Sequence, residues 1–128
     1  ESYEVKILFA IIKHITMKLV HNTISRDELK KMSEVFSGGL VKAVVDIKKE
    51  IMVVDAPMHA DAEKELLDLG SNQDDLWGIN LYPDLTDDDF IEFDSMINVR
   101  PRLNNFSRGI EDEKLQKKII AIVNKLVK

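Results

Sequence analysis

The run His59-Ala60-Asp61-Ala62-Glu63 places an imidazole beside two carboxylates. On a helix, His59 and Glu63 are four residues apart and share a face, whereas Asp61 points away. The pair could bind a divalent metal through nitrogen and oxygen, but such a site needs at least one further ligand, which the sequence does not identify. It could equally be a local histidine–carboxylate contact near a helix start, where Asp61 complements the helix dipole. We favour this structural interpretation and expect no resident metal or other cofactor.

A second group of polar side chains lies on predicted strands. Alternate residues of a strand share a face, so the predicted strands at 41–47, at Leu76 to Tyr82 and at Ser95 to Arg100 each present polar side chains on one face. The residues concerned are Asp46, Asn80, Tyr82, Asn98 and Arg100. If the strands are neighbours, these side chains converge on one sheet face. They would then form a pocket for a polar or anionic ligand, with Arg100 as the cation, or a solvated face with an Asp–Arg pair.

Composition limits the classes of function. The chain has 128 residues, enough for one domain, and no cysteine, which excludes disulfides, thiolate nucleophiles and cysteine-bound metals. Its formal net charge of −5 argues against general nucleic-acid binding, which needs clustered Lys and Arg. The longest apolar stretch, Val5 to Ile12, contains Lys6 and is too short to cross a membrane. We expect a cytoplasmic protein.

The elements that must position these residues follow from the hydrophobic periodicity. Residues 3–15 are apolar at helical spacing on two faces, which predicts a helix that is covered on both sides, and Lys18 to His21 could form a short strand. A capping box at Ser25 begins a second helix. Strands at 41–47 and 51–54 form a hairpin, a helix follows Pro57, and a last helix ends the chain. Phe90 to Phe93 could be a further short strand.

These elements predict an α+β fold: a mainly antiparallel sheet of about four to five strands with three to four packed helices. Residues 1–16 form an N-terminal extension, and residues 17–128 form a single domain. Because the extension has a second apolar face, we expect the chain to form a homo-oligomer through it.

Several short segments resemble a family of small archaeal and bacterial proteins whose shared domain has no known function. The segments are Val44-Val45-Asp46, His59-Ala60-Asp61, Gly70-Ser71-Asn72-Gln73, Trp77-Gly78-Ile79-Asn80, Ser95-Met96-Ile97-Asn98-Val99-Arg100-Pro101 and Ser107-Arg108-Gly109-Ile110-Glu111-Asp112. The resemblance covers roughly Ser25 to the C-terminus. Members of the family begin near Met17, which marks residues 1–16 as an extension. The resemblance implies no activity.

Two functions remain open at the level of sequence. The leading interpretation is a structural or binding module that self-associates. The alternative is a small hydrolase or nucleotide-processing enzyme that uses His59, Asp61 and Arg100. In that enzyme an imidazole or carboxylate would act as the base, and the guanidinium would stabilise developing negative charge.

Overall fold

The computed structural model describes residues 2–35 and 38–128. Within them, helices pack on both faces of one antiparallel sheet, which confirms the α+β prediction. The helices are α1 (Tyr3–Thr16), α2 (Arg26–Val35), α3 (His59–Asp68) and α4 (Glu113–Leu126). The strands are β1 (Lys18–Val20), β2 (Val41–Asp46), β3 (Ile51–Val54), β4 (Leu76–Leu81) and β5 (Ile91–Glu92).

The sheet has the order β1-β3-β2-β4-β5, and every pairing is antiparallel. The predicted hairpin is present, with Asp46 opposite Ile51 next to the turn. Asp46 holds this turn, because its Oδ1 accepts hydrogen bonds from the amides of Lys48 and Lys49, each at 2.9 Å. The central strand β2 is mostly buried because both of its edges are paired and both of its faces are covered.

The two faces of the sheet carry separate apolar cores, because alternate strand residues point to opposite sides. One core joins the sheet to α2 and α4 and includes Leu29, Val45, Trp77, Ile79, Ile119 and Val123. The other joins it to α3 and includes Val44, Val53, Ala62, Leu66 and Leu76. The even-numbered residues of β2 and β4 therefore face α3, and this is the side on which the predicted polar residues lie.

Helix α1 is attached to the domain by a buried lysine. Lys13 is only 2% exposed, and its Nζ contacts Asp55 Oδ1 and donates to the Met32 carbonyl at 3.1 Å. The short strand β1 confirms the strand prediction at Lys18 and pairs with β3. Among the described residues, no helix is long and apolar enough to span a bilayer.

The strand predicted at Ser95 to Arg100 is wrong. Residues Met96–Asn98 form a short 3-10 helix, and the Ser95 hydroxyl accepts a hydrogen bond from the Ile97 amide at 3.3 Å. This local turn shortens the segment, so its side chains reach the edge of β4 without forming a paired strand. The short strand predicted within Phe90 to Phe93 is present as β5.

Candidate functional site

The candidate site lies along one edge of β4. On its other edge β4 pairs with β2 throughout, but β5 pairs with it only at Asn80 and Leu81. The peptide groups of Leu76 and Gly78 therefore have no neighbouring strand on this edge. Side chains from residues 95–105 take that place, and they include two of the residues that the sequence singled out.

Asn98 completes the edge at Gly78. Its Oδ1 accepts from the Gly78 amide at 2.8 Å, and its Nδ2 donates to the Gly78 carbonyl at 2.9 Å and to the Arg108 carbonyl at 3.0 Å. Asn98 is fully buried, and these bonds use both N–H groups of its amide and its carbonyl oxygen in a dry environment. Its role in this structure is to complete the sheet, and it offers no group to a ligand.

Arg100 binds the same edge at Leu76. Its Nη1 donates to the Leu76 carbonyl at 2.6 Å, its Nη2 donates to Glu63 Oε2 at 3.0 Å, and its Cζ lies 5.0 Å from the centre of the Trp77 ring. Burial lowers the pKa of Arg100, and the charge of Glu63 opposes this shift. The ion pair with Glu63 was not predicted, because the sequence offered only His59 as a partner for that carboxylate.

A row of polar side chains crosses the other end of the edge. Lys42, Asn80 and Glu92 are in register on β2, β4 and β5. Asn80 Nδ2 donates to Glu92 Oε1 at 2.8 Å, and the Tyr82 hydroxyl donates to the same oxygen at 3.1 Å. Burial raises the pKa of Tyr82, as does its contact with Glu92. Asn80 Oδ1 is buried and has no hydrogen-bond partner among the described residues.

His59 lies over this row at the start of α3. Its Nε2 donates to the Ile79 carbonyl at 2.8 Å. Burial lowers the pKa of His59; its hydrogen bond to Ile79 and the nearby Asn80 amide oppose the shift, while the charge of Lys42 adds to it. The half-buried Lys42 makes no ion pair or side-chain hydrogen bond within the part of the chain that is described. Neither Lys42 nor Glu92 was identified from the sequence; only strand register could have revealed them.

Asp46 and Asp61 lie apart from these groups. Asp46 shares the α3 face of the sheet with Asn80, but it is opposite Leu76, whereas Asn80 is opposite Lys42 at the other end of the pairing. Its Oδ2 accepts from the Ser71 hydroxyl at 2.6 Å. Asp61 stabilises the start of α3, because its Oδ2 accepts from the Met58 amide at 3.1 Å. The structure therefore places both carboxylates in local hydrogen-bond networks.

The predicted residues thus do not meet at one point. Arg100 contacts β4 at Leu76 and Asn98 contacts it at Gly78, whereas Asn80 is the next alternate residue of β4 itself; alternate residues of a strand are about 7 Å apart. The hydrolase alternative needs His59, Asp61 and Arg100 within reach of one substrate, but each is held by different partners. His59 and Glu63 both turn towards β4 from one face of α3, yet they also have separate partners. Within residues 2–35 and 38–128, no three metal-ligating side chains cluster.

Two of the cavities in the described part of the chain lie close to the sheet. One of about 400 Å³ opens beside Arg100 and is lined partly by Glu63, Gln73, Met96 and Arg102. The other, of about 570 Å³, lies on the α4 side and is lined by residues that include Arg26, Asp87 and Phe90. The Arg26 guanidinium already stacks on the Phe90 ring, with Cζ 4.0 Å from its centre.

Comparison with known proteins gives a family but no activity. No curated protein and no solved structure matches the chain. A family model matches residues 18–126, which run from β1 to the end of α4 and leave α1 outside. The match begins earlier than Ser25 and includes every polar residue of the β4 edge. The chain therefore belongs to the family described as a protein of unknown function (DUF5674).

Proposed function

We propose that the protein is a binding module that self-associates through the outer face of α1. The observation that carries this proposal is a stripe of exposed apolar side chains at four-residue spacing. Tyr3, Ile7, Ile11 and Ile15 are 78%, 43%, 51% and 77% exposed. Residues four apart lie on the same side of a helix, so these side chains form one continuous surface. A surface of this kind typically marks an interaction site.

The opposite face of α1 supports the proposal by holding the helix in place. Lys13 is buried against Asp55, and Phe9 and Ile12 are partly buried. A buried charge pair that loses one partner is strongly destabilised, so the contact favours one docked position of the helix. The outer stripe is thereby held away from the domain, where a second copy can reach it.

The arrangement of residues within α1 favours a second copy as the occupant. Two α1 helices can pair antiparallel so that the two-fold axis passes at the level of residue 9. Ile7 of one copy then faces Ile11 of the other, and Tyr3 faces Ile15. The same register places the acidic Glu4 opposite His14, whose side chain is 54% exposed and whose Nε2 lies 3.5 Å from Asp61 Oδ1 of its own chain. A two-fold interface must be self-complementary, and this one pairs apolar with apolar residues and an acid with a base.

Light scattering coupled to size-exclusion chromatography tests the proposal. We expect a dimer for the wild-type chain at about 100 µM, a concentration that suits a micromolar Kd. We expect a monomer for Ile11→Glu, since a charge in the centre of the stripe cannot be paired. Leu69→Glu is the matched control, because Leu69 is also 51% exposed but lies at the end of α3. It should leave the dimer intact.

Two outcomes would contradict self-association. One is a wild-type monomer at every concentration tested. The other is a monomer that co-sediments with phosphatidylcholine vesicles and loses this binding in Ile11→Glu, which would make the stripe a lipid-binding surface. A cytoplasmic location and a lack of general nucleic-acid binding stay predictions, based on the cysteine-free and acidic composition.

A further inference from the structure

The cavity beside Arg100 has the features of a small-molecule site that does not depend on self-association. It is an open surface cavity of about 400 Å³, a volume within the usual range for small-molecule sites. Its walls combine charged and apolar side chains: Glu63, Arg100 and Arg102 on one hand, Met96, Val99 and Pro101 on the other. All of these residues lie outside α1.

Arg100 provides a fixed cation in the cavity wall. It is 7% exposed, and its guanidinium is held by the Leu76 carbonyl and by Glu63. Its Nε has no partner within the described residues, so this N–H remains available to a ligand. Because contacts with the strand and with α3 hold the group, a ligand that bound it would incur little ordering cost.

Arg102 provides a second cation that can move. Its side chain is 58% exposed, and its Nη2 contacts Asp74 Oδ1 at the surface. This hydrogen bond lowers the pKa of Asp74. A surface ion pair of this type contributes little free energy, so Arg102 can exchange Asp74 for a ligand at small cost. Asp74 is not part of the cavity lining, so once it releases Arg102 the two guanidinium groups face the single carboxylate of Glu63, which leaves one excess positive charge in the lining.

The remaining wall is apolar and partly open to solvent. Met96 and Val99 are exposed hydrophobic residues beside the two cations, and Ile97 and Pro101 extend the same surface. Burying such side chains against an apolar ligand is favourable by about 25 cal/mol for each Å² removed from water.

We infer that this cavity binds a small monoanion with an apolar body, such as an aliphatic carboxylate. The carboxylate accepts from Arg100 Nε and from Arg102, and the apolar body lies on Met96 and Val99. The single excess charge favours a monoanion over a phosphate dianion, because Glu63 repels the second negative charge.

Titration with hexanoate tests the inference, with Trp77 fluorescence as the signal. Trp77 is the single tryptophan of the chain, and its ring lies 5.0 Å from the Arg100 guanidinium. We expect saturable binding with a Kd of about 1 mM or tighter. Hexanamide lacks the charge and acetate lacks the apolar body, so both should bind about tenfold more weakly or not at all.

A matched pair of variants locates the site. Arg102→Gln should weaken hexanoate binding about fivefold through the loss of one charged hydrogen bond. Arg108→Gln should leave it unchanged, although Arg108 is similarly exposed and pairs with Asp94 in the same way. Met96→Glu should abolish binding without unfolding the chain, because Met96 is 64% exposed.

Several results would overturn the inference. One is the absence of any fluorescence change with hexanoate up to about 20 mM, which excludes even millimolar binding. Equal binding of hexanoate and hexanamide, or tighter binding of inorganic phosphate than of hexanoate, would also contradict it. So would equal losses of hexanoate affinity in Arg102→Gln and Arg108→Gln. An Ile11→Glu monomer that still binds hexanoate would separate this site from the α1 interface.

Discussion

The side-chain amide of Asn98 hydrogen-bonds both the N–H and the C=O of Gly78, at 2.8 and 2.9 Å. One side chain thus makes the pair of bonds that a residue of a neighbouring antiparallel strand would make. The edge of β4 is completed beyond the point where β5 ends, and the residues around Arg100 are held against the sheet.

Asn98→Ala should lower the free energy of unfolding by about 3 to 5 kcal/mol. The substitution leaves the N–H and the C=O of Gly78 without partners, and each buried unpaired group costs about 1 to 3 kcal/mol. The Arg108 carbonyl loses one of its two hydrogen bonds and keeps the one from the Ser95 amide at 3.0 Å. Urea denaturation followed by circular dichroism measures the change. Asn124→Ala, an exposed position within α4, is the control and should be neutral or slightly stabilising. Equal stabilities of the two variants would refute the role assigned to Asn98.

Gly78→Ala should also destabilise the fold, by about 1 to 3 kcal/mol, as overpacking usually does. A Cβ at this position would lie 2.6 Å from Ser95 Cβ and Oγ and 3.1 Å from Ile97 Cγ1. Gly109→Ala is the control, since its Cβ would make only ordinary contacts at 3.5 Å or more. Thermal unfolding compares them. A stabilised Gly78→Ala would mean that the segment carrying Ser95 does not pack this closely.

Asp55→Gly should release α1 without unfolding the domain. The backbone of Asp55 has φ of 65°, which glycine adopts easily, so the substitution removes the carboxylate with little strain. Lys13 is then buried without its partner, and undocking of α1 relieves that cost. Hydrogen exchange should accelerate about tenfold or more across α1 while β2 and β3 stay protected. Glu28→Gln, which breaks the exposed pair with Lys18, should change neither region.

The lowered pKa of His59 predicts a pH-dependent stability. Below about pH 6.5 the unfolded chain binds a proton at this histidine that the folded chain resists binding. The contribution of His59 to the free energy of unfolding is therefore fully present above about pH 6.5. It is lost as the pH falls through the lowered pKa that this histidine has in the folded chain. His59→Gln can still donate to the Ile79 carbonyl and should lose less stability than wild type between about pH 8 and 5.5.

His21→Gln is the control for this experiment, because His21 is exposed and follows β1, which lies at the opposite edge of the sheet from β5. Its unfolding free energy should follow the wild-type pH curve in urea titrations. Parallel curves for wild type and His59→Gln would show that the imidazole titrates freely in the folded chain.

Most of the fold could be predicted from local patterns. The alternation from Val41 to Ile47 and the proline-initiated helix after Pro57 correspond to β2 and α3. The error at Ser95 to Arg100 has a physical reason. Its residues alternate as in a strand, but the Ser95 hydroxyl binds the Ile97 amide and stabilises a 3-10 turn. A serine that competes for backbone hydrogen bonds in this way cannot be told from a strand residue by periodicity.

The site could be predicted only in part, since its geometry depends on pairing between distant residues. Strand phase identified Asn80, Asn98 and Arg100. Asn98 and Arg100 contact β4, and Asn80 lies on β4 and contacts Glu92 of β5. The alternation of residues along a strand shows which face a side chain occupies but not how far along the sheet it lies. For that reason the sequence groups Asp46 with residues that it does not contact in the structure. The Arg100–Glu63 pair joins residues far apart in the chain, so no local spacing predicts it.

Completion of the β4 edge by side chains also removes a template for intermolecular strand pairing at that edge. An open edge of a buried, apolar strand is a template for strand addition by another molecule. Amide and guanidinium groups from residues 95–105 occupy the hydrogen-bonding positions of Leu76 and Gly78, and a chain that lacked them would expose a strand with the sequence Leu-Trp-Gly-Ile-Asn-Leu. The loop that forms the candidate cavity therefore also closes this part of the β4 edge to strand addition.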